Sequence, residues 1–253
     1  MKIGLFQFSP EWEDPRKSIL KIEELLNKSD KDFDLLIFPE LTLTGFTMHS
    51  ERFGEEIDGV GTQLFMHISS VLGTDIFAGI IEQDVNKFYN SLVHFDSKGL
   101  IKARYRKIHP FSLGDEDKHY NESDEIIVTE INHIDIGLSI CYDLRFPELY
   151  RLYTKANCQM LVNIANWPTA RIDHWKTFLK ARSIENQCFV VGVNRVGNDP
   201  YNKYNGCSAV FNPMGENIVM VENEETIISC EIDFGLVEET RIKFPFLRDI
   251  KLI

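Results

Sequence analysis

Glu40, Lys107 and Cys141 each lie at the end of a strand-like stretch of the chain, and together they supply a carboxylate, an ammonium and a thiol. A free thiol titrates at about 8.5, so a neighbouring base or cation is needed before it attacks well at neutral pH. An ammonium beside a developing alkoxide stabilises a tetrahedral intermediate. The three residue types therefore form a base, an oxyanion partner and a nucleophile. Each also has a plainer reading. Glu40 suits a solvated loop, Lys107 suits an edge strand that carries cations against aggregation, and Cys141 suits a buried strand end.

The segment 136–151, IGLSICYDLRFPELYR, shows how such a thiol is positioned. Ile136, Leu138 and Ile140 alternate as in a strand, and Leu149, Leu152 and Tyr153 recur at helical spacing after Pro147. The pattern predicts strand, sharp turn and helix, with Cys141 at the turn near backbone N–H groups. Residues 35–38 form a short continuous apolar run, the mark of a strand covered on both faces, and it stops at Pro39-Glu40. Residues 88–95 and 100–108 flank Asp96-Ser97-Lys98-Gly99 as a hairpin, whose second strand ends in Arg104-Tyr105-Arg106-Lys107-Ile108-His109-Pro110.

The remaining elements fill in around these. Residues 2–8 read as a strand. Asp14-Pro15 caps an amphipathic helix marked by Ile19, Ile22, Leu25 and Leu26. Residues 59–73 read as loop then helix, with Gly73 as its C-cap. Residues 76–81, 126–130, 134–140, 160–164 and 188–193 read as strands, and 173–185 as a helix. Residues 112–124 read as a polar surface loop and 198–206 as a turn-rich loop. Residues 208–211 and 216–221 flank a hairpin turn at Asn212-Pro213-Met214-Gly215, and 226–232 closes the sheet. The tail, 234–253, has no low-complexity character and is expected to pack on the body or on a partner subunit. Buried strands alternating with helices predict a layered α/β sandwich, with one domain over residues 1–253.

The 253 residues are 43% hydrophobic and 26% charged, enough for a large core, and the formal net charge of −12 disfavours nucleic acid and anionic membranes as partners. Five widely spaced cysteines form no C-x-x-C, which argues against a disulfide framework and for a reducing compartment. The N-terminal residues run straight into a strand pattern, and no apolar stretch reaches membrane-spanning length. A cytoplasmic protein is expected.

The segments FPELTLTGF (38–46), YRKIHPF (105–111) and CYDLRFPELYR (141–151) resemble those of the nitrilase superfamily of carbon–nitrogen hydrolases. NWPTARIDHWKTFLKARSIENQ (166–187) and GVNRVG (192–197) extend the likeness to the ω-amidase branch, whose members hydrolyse 2-oxoglutaramate and related dicarboxylate monoamides. The resemblance implies a four-layer αββα sandwich, usually dimeric, with no metal or organic cofactor. It implies that Cys141 forms a thioester, that Glu40 moves the protons, and that Lys107 and the Tyr142 N–H bind the oxyanion. A second glutamate lies between lysine and cysteine in this family, and Glu116 in LGDEDKHY (113–120) matches it. His109-Pro110 and Asn212-Pro213 depart from the family pattern and bear on substrate details. A substrate carboxylate calls for a guanidinium, from Arg145, Arg171 or Arg195, and Trp167 is a candidate pocket wall. Arg145 has an alternative as a structural partner of Asp143 or Glu148.

The expected reaction is release of ammonia from a small amide. An N-carbamoyl amino acid or another aliphatic amide is the alternative substrate. Three rival readings differ in kind: a papain-like Cys–His hydrolase using His109 or His133, a non-catalytic binding protein of the same fold, and a metal site. The third lacks any H-E-x-x-H or close Cys/His cluster.

Overall fold

The computed structural model describes residues 1–29 and 32–252. In chain order the first half runs β1 (Lys2–Gln7), α1 (Pro15–Lys28), β2 (Leu35–Ile37), the single turn α2 (Ser50–Phe53), α3 (Val60–Leu72), β3 (Asp75–Asp84), β4 (Lys87–Phe95) and β5 (Ile101–Arg106). The second half runs β6 (Val128–Ile131), β7 (Ile134–Ile140), α4 (Pro147–Lys155), β8 (Met160–Ala165), α5 (Ile172–Asn186), β9 (Phe189–Asn194), β10 (Val196–Asn198), β11 (Lys203–Phe211), β12 (Asn217–Glu222), β13 (Thr226–Glu231) and α6 (Gly235–Lys243).

The strands form two sheets, ordered β13-β1-β2-β3-β4-β5 and β10-β11-β9-β8-β7-β6, with β12 paired to β11. The centre of each sheet is parallel: β1, β2 and β3 in the first, β7, β8 and β9 in the second. Period-2 alternation sorts their side chains into layers. Leu35 and Ile37 of β2 join Leu138, Ile140, Val162 and Val191 between the sheets, while Leu36 and Phe38 face the other way with Ile22, Leu26 and Phe65 under α1 and α3. On the far side, Leu161 and Val190 pack with Tyr150, Trp175 and Leu179 under α4 and α5. This is the αββα sandwich, and it explains why the central strands read as continuous apolar runs.

Local signals in the sequence hold. The Asp14 side chain accepts from Lys17 N at 3.2 Å and caps α1. Gly73 closes α3 at φ 65°, in the left-handed region. Two regions differ from expectation. Lys203–Gly206, expected as loop, lies within β11 and pairs in part with β10 through Val196↔Asn205. These polar residues carry no apolar alternation, and main-chain pairing decides their state. Residues 112–124 contain two 3-10 turns, Ser112–Gly114 and Glu116–Lys118, and the second buries Glu116 completely. The tail folds back as α6, where Arg241 donates to the Gln187 and Cys158 carbonyls.

Among the described residues, no helix is long and apolar enough to cross a membrane.

Candidate active site

Each reactive side chain leaves the end of a strand. β2 ends at Ile37, and Glu40 sits in the turn beyond it. That turn lies against Gly79 of β3, where an added Cβ would come within 2.5 Å of Leu41 N and 2.8 Å of Glu40 Cα. Thr42 seals the approach: its N–H donates to the Gly79 carbonyl, and its hydroxyl accepts from Gly79 N and donates to the Pro39 carbonyl. Lys107 follows β5. The neighbouring Arg104 and Arg106 point the other way, to Glu82, whereas Lys107 points inward and is 1% exposed. Cys141 follows β7 at φ 46°, a left-handed conformation unusual for a non-glycine residue, and opens a 3-10 turn, Cys141–Arg145, before α4.

These elements bring Glu40, Lys107, Glu116 and Cys141 together. Lys107 Nζ lies 2.8 Å from Glu40 Oε1, and 3.0 and 2.9 Å from the two oxygens of Glu116. Both glutamates are fully buried. Glu40 is the carboxylate that acts most strongly on the Cys141 thiol, and the cysteine is half-buried, at the edge of a cavity of about 600 Å³.

The electrostatics follow from burial and these neighbours. Burial by itself depresses the Lys107 ammonium, but Glu116 and Glu40 outweigh it and hold the group well above its ordinary value. Burial raises Glu116, opposed by Lys107. Burial and then the Glu40 carboxylate push the Cys141 thiol well up. Burial and Glu40 thus favour the neutral thiol over the thiolate at Cys141. The groups that set the charge state of Cys141 are Glu40, Lys107 and Glu116. His109 Nδ1 is bonded to Asp143 and its ring is stacked on Phe146, the His133 side chain is 98% exposed, and neither histidine is among the groups that act on the Cys141 thiol.

The cavity wall carries the three other predicted residues. Tyr142 meets Phe111 edge-on at 5.0 Å. Trp167 is 2% exposed, and its indole N–H donates to the Arg171 carbonyl at 2.7 Å. Arg145 lies over the Trp167 ring at 4.9 Å and the Phe178 ring at 5.4 Å, with His174 Nδ1 at 3.3 Å. Arg171 lies over Phe111 at 5.4 Å. Among the described residues neither guanidinium is paired with a carboxylate, and burial and the nearby Arg171 lower the Arg145 value. Arg195 is fully buried and bonds the Val196 and Asn198 carbonyls.

The carbon-nitrogen hydrolase family model matches residues 2–242. The chain belongs to the carbon-nitrogen hydrolase family. The chain is 35% identical, over 98% of its length and 97% of the relative's, to a 2-oxoglutaramate amidase of Bacillus subtilis. It is 31% identical, over 98% and 96%, to the omega-amidase YafV of Yersinia enterocolitica. Among solved structures, the carbon–nitrogen hydrolase superfamily protein XC1258 of Xanthomonas campestris, which carries an arsenic adduct in its active site, superposes with TM-score 0.95 at 31% identity, covering 100% of this chain and 98% of that one. The fold is thus the nitrilase-type sandwich, and the protein is a hydrolase of carbon–nitrogen bonds other than peptide bonds, on the ω-amidase-like branch.

This carbon-nitrogen hydrolase also uses polar residues that sequence reasoning passed over. Asn90 Nδ2 lies 2.8 Å from both Glu40 Oε1 and Glu116 Oε1. Asn166 donates its backbone N–H to Glu40 Oε2 and its side-chain amide to the Glu40 carbonyl, each at 2.7 Å. A signal for Asn90 existed: an Asn-Ser pair inside an otherwise apolar strand is disfavoured unless something holds it. Among the described residues, no group of three or more His, Cys, Asp or Glu could hold a metal ion.

Proposed function

We propose that the protein is an ω-amidase, releasing ammonia from the terminal amide of 2-oxoglutaramate, 2-oxosuccinamate or a closely related dicarboxylate monoamide. The observation that carries this is one cavity with Glu40, Lys107 and Glu116 gathered at the Cys141 thiol and two carboxylate-free guanidiniums, Arg145 and Arg171, on its wall. The names of the similar amidases from Bacillus subtilis and Yersinia enterocolitica support the same substrate class.

The geometry derives the steps. Arg145 takes the substrate carboxylate in a two-pronged hydrogen bond, with Trp167 and Tyr142 flanking the carbon chain. Cys141 Sγ attacks the amide carbon while Glu40 accepts the thiol proton. The carbonyl oxygen becomes an oxyanion. An ammonium has three N–H donors: one meets Glu40, one is shared between the two Glu116 oxygens, and the third is left for the oxyanion. The Tyr142 N–H, in the first turn of the 3-10 segment, has no acceptor within that turn and adds a second bond. Glu40 returns the proton to the departing nitrogen, ammonia leaves, and a thioester remains. Water, deprotonated by Glu40, then adds to the thioester and frees the acid and the thiol. Glu116 holds Lys107 in line throughout.

We further propose one catalytic domain over residues 1–253, a homodimer and a cytoplasmic location. Five free cysteines support a reducing compartment. Leu152, Ile184, Ile242 and Phe246, which are 39%, 47%, 69% and 65% exposed, support a subunit contact on the α4–α5 and tail side. The deciding experiment is an ammonia-release assay over ω-amides, neutral amides, nitriles and N-carbamoyl acids. Turnover of 2-oxoglutaramate by the wild type and none by Cys141→Ala is expected. Full activity in Cys141→Ala, or preference for N-carbamoyl acids, overturns the reading.

A further inference from the structure

Outside the reacting groups, one buried carboxylate is bonded to both segments that carry them. Asp143 is fully buried. Its Oδ1 accepts from His109 N at 3.0 Å and faces His109 Nδ1 at 2.7 Å. Its Oδ2 accepts from the Tyr105 hydroxyl at 2.7 Å and from Ile140 N at 2.9 Å. Tyr105 and His109 lie two residues on either side of Lys107. Ile140 and Asp143 bracket Cys141. The two segments belong to different sheets, β5 in one and β7 in the other. A carboxylate accepts only, so His109 presents its Nδ1–H to it. The imidazole is also fixed from its face, stacked on Phe146 at 3.8 Å and 7°.

We propose that Asp143 is a positioning residue that sets the register of the Lys107 ammonium against the Cys141 thiol. Between β5 and β7 the packing is largely apolar, Leu138 and Ile140 included, and it resists separation but slides at little cost; the Asn166 bonds to Glu40 tie the β2 and β8 ends instead. Directed bonds to one carboxylate remove that freedom. The left-handed backbone at Cys141 adds to the need: such a conformation persists only where its surroundings over-determine it, and the Ile140 N–H bond fixes the residue before it while the Phe146 N–H to Asp143 carbonyl bond, at 3.0 Å, closes the turn after it. Tyr105 and His109 act through Lys107, and Asp143 through both partners. This inference rests on the reading of Lys107 as oxyanion donor and Cys141 as nucleophile.

The test separates the two ends of the clamp. Tyr105→Phe removes the bond to Asp143, together with the long one its hydroxyl accepts from Ile108 N at 3.4 Å, both on the lysine side, and leaves the cysteine turn intact. Its kcat on the best amide of the panel is expected to fall about tenfold with KM within about threefold, because an ångström of misplacement alone can cost about a hundredfold. Alkylation of Cys141 by iodoacetamide should stay within about twofold of wild type, since the turn is untouched. Asp143→Asn presents an N–H where an acceptor is needed, so both kcat and alkylation should change, each by about tenfold or more. In a Lys107→Ala background, Tyr105→Phe should cost less than about twofold, whereas a merely structural role costs the same factor in both backgrounds. Should Asp143→Asn not fold, Tyr105→Phe and His109→Gln carry the test. Wild-type kcat in Tyr105→Phe, equal factors in both backgrounds, or unchanged alkylation in a folded Asp143→Asn overturns the proposal. Alkylation needs no substrate, so a wrong substrate class leaves this result readable.

Discussion

Glu116 grips the Lys107 ammonium with both carboxylate oxygens, at 3.0 and 2.9 Å, in a site closed to solvent. The ammonium has Glu40 as a second partner, so the two glutamates and the lysine do not contribute equally to stability. Lys107→Met leaves two buried carboxylates without a cation, a change of the kind that costs about 3–5 kcal/mol. Glu116→Gln leaves the ammonium paired with Glu40 and keeps an acceptor oxygen, so about 1–3 kcal/mol is expected. Urea unfolding at neutral pH reads the difference. A Lys107→Met protein no less stable than Glu116→Gln contradicts the arrangement. Both variants should lose on the order of a hundredfold or more in kcat.

The Cys141 thiol is raised first by burial and then by Glu40. Replacing Glu40 by Gln removes the carboxylate contribution and leaves Lys107 in place. Thiolate formation, followed at 240 nm against Cys141→Ala to subtract the other four cysteines, should therefore move to lower pH in Glu40→Gln, although turnover is lost with the base. A midpoint unchanged or moved upward counts against the contact. The same shift has a stability consequence. The folded value is raised, so Cys141 contributes stability that is fully present below the ordinary thiol value and is lost as pH rises through the folded value. Wild type should weaken above that pH more steeply than Cys141→Ala.

Much of this is legible in the sequence, for physical reasons. Strands covered on both faces must be apolar throughout, so Leu35–Ile37 and Met160–Ala165 stand out, and so do the residues just past their ends. Position past a buried strand points to Glu40 and, after Ile134–Ile140, to Cys141, whereas Lys107 follows the half-exposed edge strand Ile101–Arg106 and is singled out by the likeness of YRKIHPF to a known family; the local demands of helix ends point to Gly73 and Asp14. Glu116 is different, because its loop carries no period; only likeness to a known family singles it out, among Asp115 and Asp117. Asn90 escapes because its neighbours Tyr89 and Leu92 fit an ordinary buried strand. What its amide serves, two glutamates distant in the chain, is a tertiary fact that no local pattern encodes. Asp143 enters the sequence reading only as a partner for Arg145, whereas its carboxylate is taken by Tyr105, His109 and Ile140.

Asn90 gives a sharper test than simple removal. Its amide Nδ2 lies 2.8 Å from an oxygen of each glutamate. Asn90→Asp keeps the shape and places a third carboxyl against two others. Like charges raise the titration of the new carboxyl, so its protonated, donating form is favoured as pH falls. Activity at about pH 8 should drop on the order of a hundredfold and recover in part, relative to wild type, toward about pH 6. A loss that does not depend on pH points instead to a packing defect.

Arg145 decides whether the cavity prefers an anionic amide. Its guanidinium lies over the Trp167 and Phe178 rings, and no carboxylate of the described residues neutralises it. A hydrogen bond to a charged group contributes about 1.5–3 kcal/mol, so Arg145→Met should lower kcat/KM for 2-oxoglutaramate by roughly ten- to a hundredfold, mainly through KM. A neutral amide of the same length has no carboxylate to lose, and its kcat/KM should change by less than about threefold. Arg145→Lys restores charge without the planar fork or the stacking on Trp167, so rescue should be partial. Arg171→Met, which removes the second guanidinium and leaves the first, should produce a smaller loss with the same dependence on substrate charge. If both arginine variants weaken charged and neutral amides equally, the guanidiniums shape the wall rather than read the substrate, and the preference for dicarboxylate monoamides must come from elsewhere in the cavity.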